Sequence, residues 1–123
     1  GACVAGGYPI VRSDAERLRD ILEAIARIQS RAQLERLFED DLLQVWVLYH
    51  LQIVGEAVRA LSLDLTQQHP EVPWSQIVGL RNRVVHEYFD IDLDIVLDIV
   101  TSDLPGFQSQ VEGILQALNN DEP

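Results

Sequence analysis

The chain has 123 residues, of which 47% are hydrophobic, and a formal net charge of −11. This length is close to the commonest size of a single domain, and the hydrophobic content excludes an intrinsically disordered protein. Proteins that coat nucleic acid broadly carry an excess of basic residues, so this acidic chain is not expected to do so. All nine of its cations are arginines, which bind phosphate through planar, paired hydrogen bonds. A small arginine-lined site is therefore compatible with the composition.

The first residues differ from the rest of the chain. Residues 1–12 begin with a small, Gly-rich segment that lacks the basic start of a secretory signal. We expect them to be disordered or left over from cloning, with residues 13–120 as the folded domain. The single cysteine, Cys3, excludes an internal disulfide. No apolar run approaches the roughly 20 residues of a membrane span, and a cytoplasmic location is expected.

Hydrophobic periodicity predicts amphipathic helices in the first half of the domain. Ser13 and Glu16 have the spacing of a capping box, and the apolar stripe beyond them predicts a first helix over residues 14–38. A second helix should follow over residues 40–61, opened by an aspartate that suits a helix N-terminus. It is apolar around most of its circumference, which indicates burial on several sides. Other helices of the same chain can cover one of these sides, and we expect a partner chain to cover a second one.

The second half of the domain predicts further helices. Residues 64–73 form the clearest connection, and a third helix should follow it as far as about Tyr88. The inward face of this third helix is predicted to carry Trp74, Ile77, Leu80, Val84 and Val85. Residues 91–100 alternate like a strand at their start, but their aspartates favour a short helix begun near Asp92. With a last helix after Pro105, the expected fold is an all-α, up-and-down bundle of four to five helices.

The third helix carries the residues with the clearest potential for chemistry, in segment 81–88 of sequence Arg-Asn-Arg-Val-Val-His-Glu-Tyr. Asn82 and His86 are one turn apart and share a helix face. Arg81 and His86 are five residues apart and lie about 140° from each other around the axis. Two copies of the helix facing each other would therefore bring these groups together more easily than one. On spacing alone, the segment also fits a solvated helix face without chemistry.

These residue types would permit cleavage of RNA without a metal ion. A histidine can take the proton of a ribose 2′-hydroxyl or give a proton to the leaving oxygen. An arginine can hold the scissile phosphate and stabilise the charge that develops on it. An asparagine can fix the imidazole or contact the phosphate. The expected products are a 2′,3′-cyclic phosphate and a 5′-hydroxyl end.

Several other polar residues have two interpretations. Glu56 and Arg59 lie one turn apart in the second helix, where they could support the site or simply pair with each other. His50 is expected to be a hydrogen-bonded histidine of the core or an interface, and His69 to lie in a loop. The histidines lack the companion ligands of a metal site. No Gly-rich phosphate loop is present, so no cofactor is expected in this chain.

Segment 81–88 is similar to the R-x4-H-x-Y signature of the HEPN superfamily, in its HepT branch. Further blocks that resemble this family, in the family's order, lie at residues 17–25, 53–62, 72–77, 89–92 and 103–105. The resemblance covers roughly residues 14–118. It implies a homodimeric helical bundle with a composite site formed by both motif helices.

The resemblance also implies roles for individual residues. Arg81 and His86 would be the catalytic pair of an RNase toxin, with Asn82 beside them. Apart from the resemblance, the residues that could support them are Glu56, Arg59, Arg83 and Glu87. The substrate would be an RNA such as tRNA, cut without a metal ion.

In this branch of the family, the toxin resembles those encoded beside a minimal nucleotidyltransferase antitoxin, in a type VII-like pair. The antitoxin would transfer AMP from ATP to the motif tyrosine, here Tyr88. A bulky, negatively charged group beside the site would repel RNA phosphate.

Two other functions fit the sequence. The dimer could be a non-catalytic scaffold or substrate-presenting partner of the nucleotidyltransferase, which the acidic charge favours slightly. It could also be a structural dimer whose polar motif only seals the interface.

Overall fold

The computed structural model describes residues 12–30 and 34–121, and over these residues the chain is helical without any strand. Six α-helices follow in chain order: α1 (Asp14–Ser30), α2 (Asp41–Arg59), α3 (Leu63–Gln68), α4 (Trp74–His86), α5 (Leu93–Asp98) and α6 (Leu104–Asp121). A π-helical turn, Ile99–Asp103, joins α5 to α6 without a break. The bundle thus has five helical stretches in the described chain, and the predicted all-α fold is confirmed.

Polar side chains at the helix starts explain where the helices begin. The Glu16 backbone N–H donates to the Ser13 hydroxyl, and the Ser13 backbone N–H donates to the Glu16 carboxylate, both at 3.1 Å. The predicted capping box is therefore confirmed. The Ser13 backbone bond, assisted by the Ser13 hydroxyl, lowers the pKa of the exposed Glu16. Asp40 and Asp92 cap α2 and α5 by accepting backbone N–H bonds at 3.1 and 2.9 Å, as their sequence positions predict.

Three predicted boundaries are wrong. Helix α1 ends at Ser30, and the described continuation at Leu34–Arg36 is a single 3-10 turn. The predicted connection over residues 64–73 contains α3, which forms because Ser62 caps it. Helix α4 ends at His86, because the backbone of the next residue leaves the helical conformation. Tyr88 therefore lies beyond the helix, in the turn that leads to α5.

Helix α2 is the centre of the bundle. It packs against α1 on one side and α4 on the other, and α6 covers α1. The side chains that are almost completely buried come from every long helix and from the turns between them: Leu18, Ile21, Ile25, Ile28, Leu37, Val47, Leu51, Val54, Val84, Val96 and Val111. None of the described helices is long and apolar enough to cross a membrane.

The described chain begins with a residue that contacts the bundle. Arg12 forms an ion pair with Asp20 of α1 at 2.7 Å. The prediction for residues 1–11 lies outside the described residues.

Candidate active site

The position of α4 on α2 depends on Gly55. A Cβ atom placed on Gly55 would lie 2.1 Å from Cβ and 2.8 Å from Cγ of Arg81, which is closer than carbon atoms approach one another in proteins. Any side chain at this position would therefore push α4 away. Glycine allows the backbone of α2 to lie directly against the base of the Arg81 side chain.

The next residue of α2, Glu56, holds the charged end of the same arginine. Arg81 Nε donates a hydrogen bond to Glu56 Oε1 at 2.6 Å, and Nη2 pairs with that same oxygen. The Arg81 side chain is 18% exposed, which makes this a partly desolvated, charge-assisted contact. Glu56 therefore pairs with Arg81, and among the described residues it does not pair with Arg59, which is exposed.

Asn82 is the third residue that contacts the Arg81 side chain, after Gly55 and Glu56. Its Oδ1 accepts a hydrogen bond from Arg81 Nη1 at 3.0 Å. A guanidinium carries five N–H groups, and the contacts with Glu56 and Asn82 use three of them. Within residues 12–30 and 34–121, the other two N–H groups have no acceptor and can bind an oxyanion, in an orientation that the carboxylate and the amide fix.

His86 is the last residue of α4 and is exposed. No residue of the described chain forms a hydrogen bond or ion pair with it. It lies about 140° around the helix axis from Arg81. One copy of the chain therefore brings Glu56, Arg81 and Asn82 together, and it leaves His86 one turn from Asn82 but about 140° around the helix axis from Arg81.

Tyr88 lies beside the N-terminal half of α2. It is half-buried, and its hydroxyl donates a hydrogen bond to the Val45 carbonyl at 3.4 Å. Its ring meets the ring of Phe89 edge-on, with the centroids 5.4 Å apart. The long hydrogen bond and the partial exposure leave the hydroxyl open to exchange its partner.

Large apolar side chains are exposed on α2, at the end of α4 and in the turn after it, and we call them the apolar patch: Leu42, Val45, Val85 and Phe89. Val45 and Phe89 lie beside Tyr88. Leu42 is 83% exposed and Phe89 is 95% exposed. Val85 was predicted to face inward, but it is 38% exposed, because the buried face of α4 is too narrow to include it. A cluster of exposed apolar side chains next to polar motif residues is typical of an interaction surface.

The structure also shows the contacts of the other polar residues that the sequence analysis singled out. Arg83 pairs with Glu87 at 3.5 Å across one turn of α4, and both side chains are half exposed. An exposed pair of this kind contributes little to stability. His50 is confirmed as a core histidine, since it is buried and its Nδ1 bonds to the Trp46 carbonyl at 2.8 Å. Among the residues described, no three His, Cys, Asp or Glu side chains group as a metal site.

Sequence reasoning missed the role of Gly55. A signal was available, because a glycine inside a helix costs about 1 kcal/mol relative to alanine and often has a packing reason. The position of α4 that gives it this reason could not be read from the sequence.

Comparison with known proteins decides the family. The sequence model described as "Ribonuclease HepT-like" matches residues 18–114. The chain belongs to the ribonuclease HepT-like family. The match includes α2 and α4 together with the whole of segment 81–88, so the site built on Gly55 and Arg81 lies within the family domain.

Relatives of this HepT-like chain come from archaea and bacteria. It is 34% identical over 105 residues to the probable ribonuclease HepT of Thermococcus cleftensis, covering 82% of this chain and 94% of that protein. Two relatives with provisional RNase names, from Caldanaerobacter subterraneus and Methanocaldococcus jannaschii, are each 34% identical. The first alignment covers 67% of this chain and 73% of the relative, and the second covers 77% and 90%. No solved structure matches the chain significantly.

The close contact at Gly55 predicts the effect of adding one methyl group there. We expect Gly55→Ala to lower the free energy of unfolding by about 1–3 kcal/mol, because α4 must move away from α2. The matched control is Gly113→Ala in α6, where an added Cβ meets no atom within 4 Å. This control should raise stability by about 0.5–1 kcal/mol through its better helix propensity. Urea unfolding measures both, and equal effects of the two substitutions would contradict the packing role of Gly55.

Proposed function

We propose that this HepT-like chain is a metal-independent endoribonuclease that acts as the toxin of a type VII-like toxin–antitoxin pair. The observation that carries the proposal is the Arg81 guanidinium, which Glu56 and Asn82 hold while two of its N–H groups stay available. This arrangement suits a phosphate, because it fixes a planar donor without using all of its donors. Membership of the HepT-like family and the RNase names of its relatives support the same activity.

The proposed reaction uses His86 for proton transfer and Arg81 for charge stabilisation. His86 takes the proton of a ribose 2′-hydroxyl, whose oxygen attacks the adjacent phosphorus atom. The bond from phosphorus to the 5′-oxygen of the next nucleotide breaks, and that oxygen takes up a proton from water as it leaves, while His86 returns the proton that it removed to the solvent. Arg81 binds the phosphate oxygens as negative charge develops on them. The products are a 2′,3′-cyclic phosphate and a 5′-hydroxyl end, and DNA is not a substrate because it lacks the 2′-hydroxyl.

The proposed active form is a homodimer. Arg81 and His86 point in directions about 140° apart on one α4, so a second copy related by a two-fold axis is needed to complete the site. The apolar patch around Tyr88 provides a surface for this contact, since Leu42 and Phe89 are almost fully exposed in the single chain. A two-fold contact buries the same patch on both copies.

The proposed control of the toxin is transfer of AMP from ATP to the Tyr88 hydroxyl by a cognate minimal nucleotidyltransferase antitoxin. The partial exposure of Tyr88 and its single long hydrogen bond make that hydroxyl accessible to a partner enzyme. The added phosphate is negative and would repel RNA from a site beside it. The net charge of −11 already disfavours general contact with RNA, so a structured RNA such as tRNA that is held locally fits best.

A second candidate function is a non-catalytic scaffold for the nucleotidyltransferase. The net charge of −11 favours it, and so does the carboxylate of Glu56, which already occupies part of the Arg81 guanidinium. In this case the motif would be a docking surface, and Tyr88 would be its substrate group.

Loss of the imidazole distinguishes the two functions. We expect His86→Ala to slow cleavage of total tRNA at least 100-fold, since positioned acid–base groups contribute about 10² to 10⁴. The control is His69→Ala, which removes a histidine that pairs only with Glu71 among the described residues. The assay contains EDTA, and the fragments are analysed for cyclic-phosphate ends. If wild-type protein with an unmodified Tyr88 cleaves no tRNA, the result contradicts the ribonuclease function and favours the scaffold function.

A composite site predicts complementation between two inactive variants. Arg81→Ala and His86→Ala should each be inactive, but a refolded equal mixture should recover about a quarter of wild-type activity. Half of the dimers are then mixed, and each mixed dimer keeps one of its two sites intact. Native mass spectrometry verifies that mixed dimers form. If they form without activity, the site is built within one chain.

The proposed transfer of AMP predicts that Tyr88 is required for the modification and that Tyr49 is not. With the antitoxin and ATP, the wild-type protein should gain one AMP, and Tyr88→Phe should gain none because the accepting oxygen is missing. Tyr49→Phe is the matched control, since Tyr49 is 55% exposed and lies outside the motif. Intact mass measures the transfer. Modification of the Tyr88→Phe protein would place the acceptor elsewhere.

A further inference from the structure

A second concave surface lies between α1 and α2, on the side of α2 that also presents Glu56. We call it the α1–α2 groove. Its chemically distinctive lining residues are Arg17, Arg27, Tyr49, His50, Gln52 and Glu56. It is separate from the apolar patch, which lies around Tyr88.

His50 lies at the floor of the groove and is only 3% exposed. Its Nδ1–H donates to the Trp46 carbonyl at 2.8 Å. No atom of the described chain bonds to its other nitrogen, Nε2. In the neutral ring, Nε2 is a hydrogen-bond acceptor. Among the described residues no fully buried side-chain nitrogen or oxygen atom lacks a partner, so this nitrogen is reached from the solvent side, where His50 lines the groove. It can therefore accept a hydrogen bond from a donor in the groove.

Tyr49 stands over the floor of the groove. Its ring is edge-on to the His50 ring, with the centroids 5.2 Å apart, and its side chain is 55% exposed. A large aromatic ring that stands half in solvent beside a polar floor suits stacking against another planar ring.

The charges in the groove are largely neutralised, although the whole chain is acidic. Its three carboxylates are each paired with an arginine, in the ion pairs Arg12–Asp20, Arg27–Glu23 and Arg81–Glu56. Arg17 also lines the groove, so a ligand meets no unpaired carboxylate there. A planar ligand with hydrogen-bond donors fits this lining, and a nucleobase has these properties.

The groove is continuous with the site that holds Arg81, because Glu56 belongs to both. Tyr49 and Glu56 are two helical turns apart on one face of α2, a separation of about 10 Å along the axis. A nucleotide next to a phosphate bound at Arg81 can reach the groove.

We propose that the α1–α2 groove binds the nucleobase of a nucleotide that flanks the scissile phosphate. The base stacks on Tyr49, and its amino or imino N–H donates to His50 Nε2. This inference rests on the proposed ribonuclease function and gives it a recognition site. It also explains how an acidic protein holds RNA, since a stacked base contributes binding that does not depend on net charge.

The test compares intact RNA with RNA in which one base is removed. Short single-stranded oligonucleotides with one cleavage position carry an abasic ribose on one or the other side of that position. For the wild-type protein, removing the base on one side should lower kcat/KM at least 10-fold, and removing the other base should have a smaller effect. In Tyr49→Ala, the intact RNA should already react at least 10-fold more slowly, and the abasic substitution should lower kcat/KM no further.

Two further variants separate stacking from general effects. Tyr49→Phe keeps the ring and should retain the wild-type response to the missing base. Phe38→Ala removes an aromatic ring that is 48% exposed outside the groove, and it should also retain the wild-type response. If Tyr49→Ala responds to the missing base as strongly as the wild type does, the groove does not bind the base.

A binding measurement makes the groove testable apart from catalysis. The same oligonucleotides with 2′-O-methyl riboses cannot be cleaved, and fluorescence anisotropy gives their Kd for each variant. Binding that weakens at least 10-fold in Tyr49→Ala and with the missing base supports the groove, even if wild-type protein cleaves no RNA. Cleavage that does not depend on Tyr49 overturns the groove and leaves the ribonuclease. Absence of any binding to these oligonucleotides overturns the groove as well.

Discussion

The contact between Gly55 and Arg81 is the constraint on which the site depends. Because Gly55 has no side chain, α4 lies so close to α2 that the Arg81 side chain starts at the surface of α2. The guanidinium then meets the carboxylate of Glu56, the next residue along α2. One residue thus sets the distance between two helices, and its neighbour sets the direction of the charged group. The two effects together hold an arginine rigidly without burying it.

Pairing of charges within the chain resolves the conflict between its acidity and a function in RNA chemistry. The net charge of −11 is a property of the whole molecule, but a phosphate at the proposed site would meet mainly the groups around Arg81. There Glu56 is neutralised by the arginine that it positions. The same neutralisation extends along α1, where arginines pair with Asp20 and Glu23. For the proposed contact with RNA, local pairing would therefore matter more than the total charge.

Most of the fold could be predicted from the sequence, because caps and apolar periodicity act over a few residues. The starts of α2 and α5 at Asp40 and Asp92 are examples. The end of α4 was misplaced because the segment up to Tyr88 carries no glycine or proline to stop the helix. In the site, the sequence identified Arg81, Asn82 and the resemblance to a known motif. It could not reveal that Glu56 pairs with Arg81, since that contact joins two helices whose packing depends on the whole bundle.

The π-helical turn at Ile99–Asp103 determines how α5 faces the core. Val96, Val100 and Leu104 are all buried at intervals of four residues, whereas an α-helix would rotate this series gradually out of the core. A π-turn takes in one residue more than an α-turn, which keeps all three on the buried face. Deleting one residue here would let the stretch become a regular α-helix while α5 keeps its face toward the core, because the wide turn absorbs that extra residue. The turn that carries Tyr88 leads directly into α5, so the wide turn at residue 99 also preserves the placement of a side chain eleven residues earlier in the sequence.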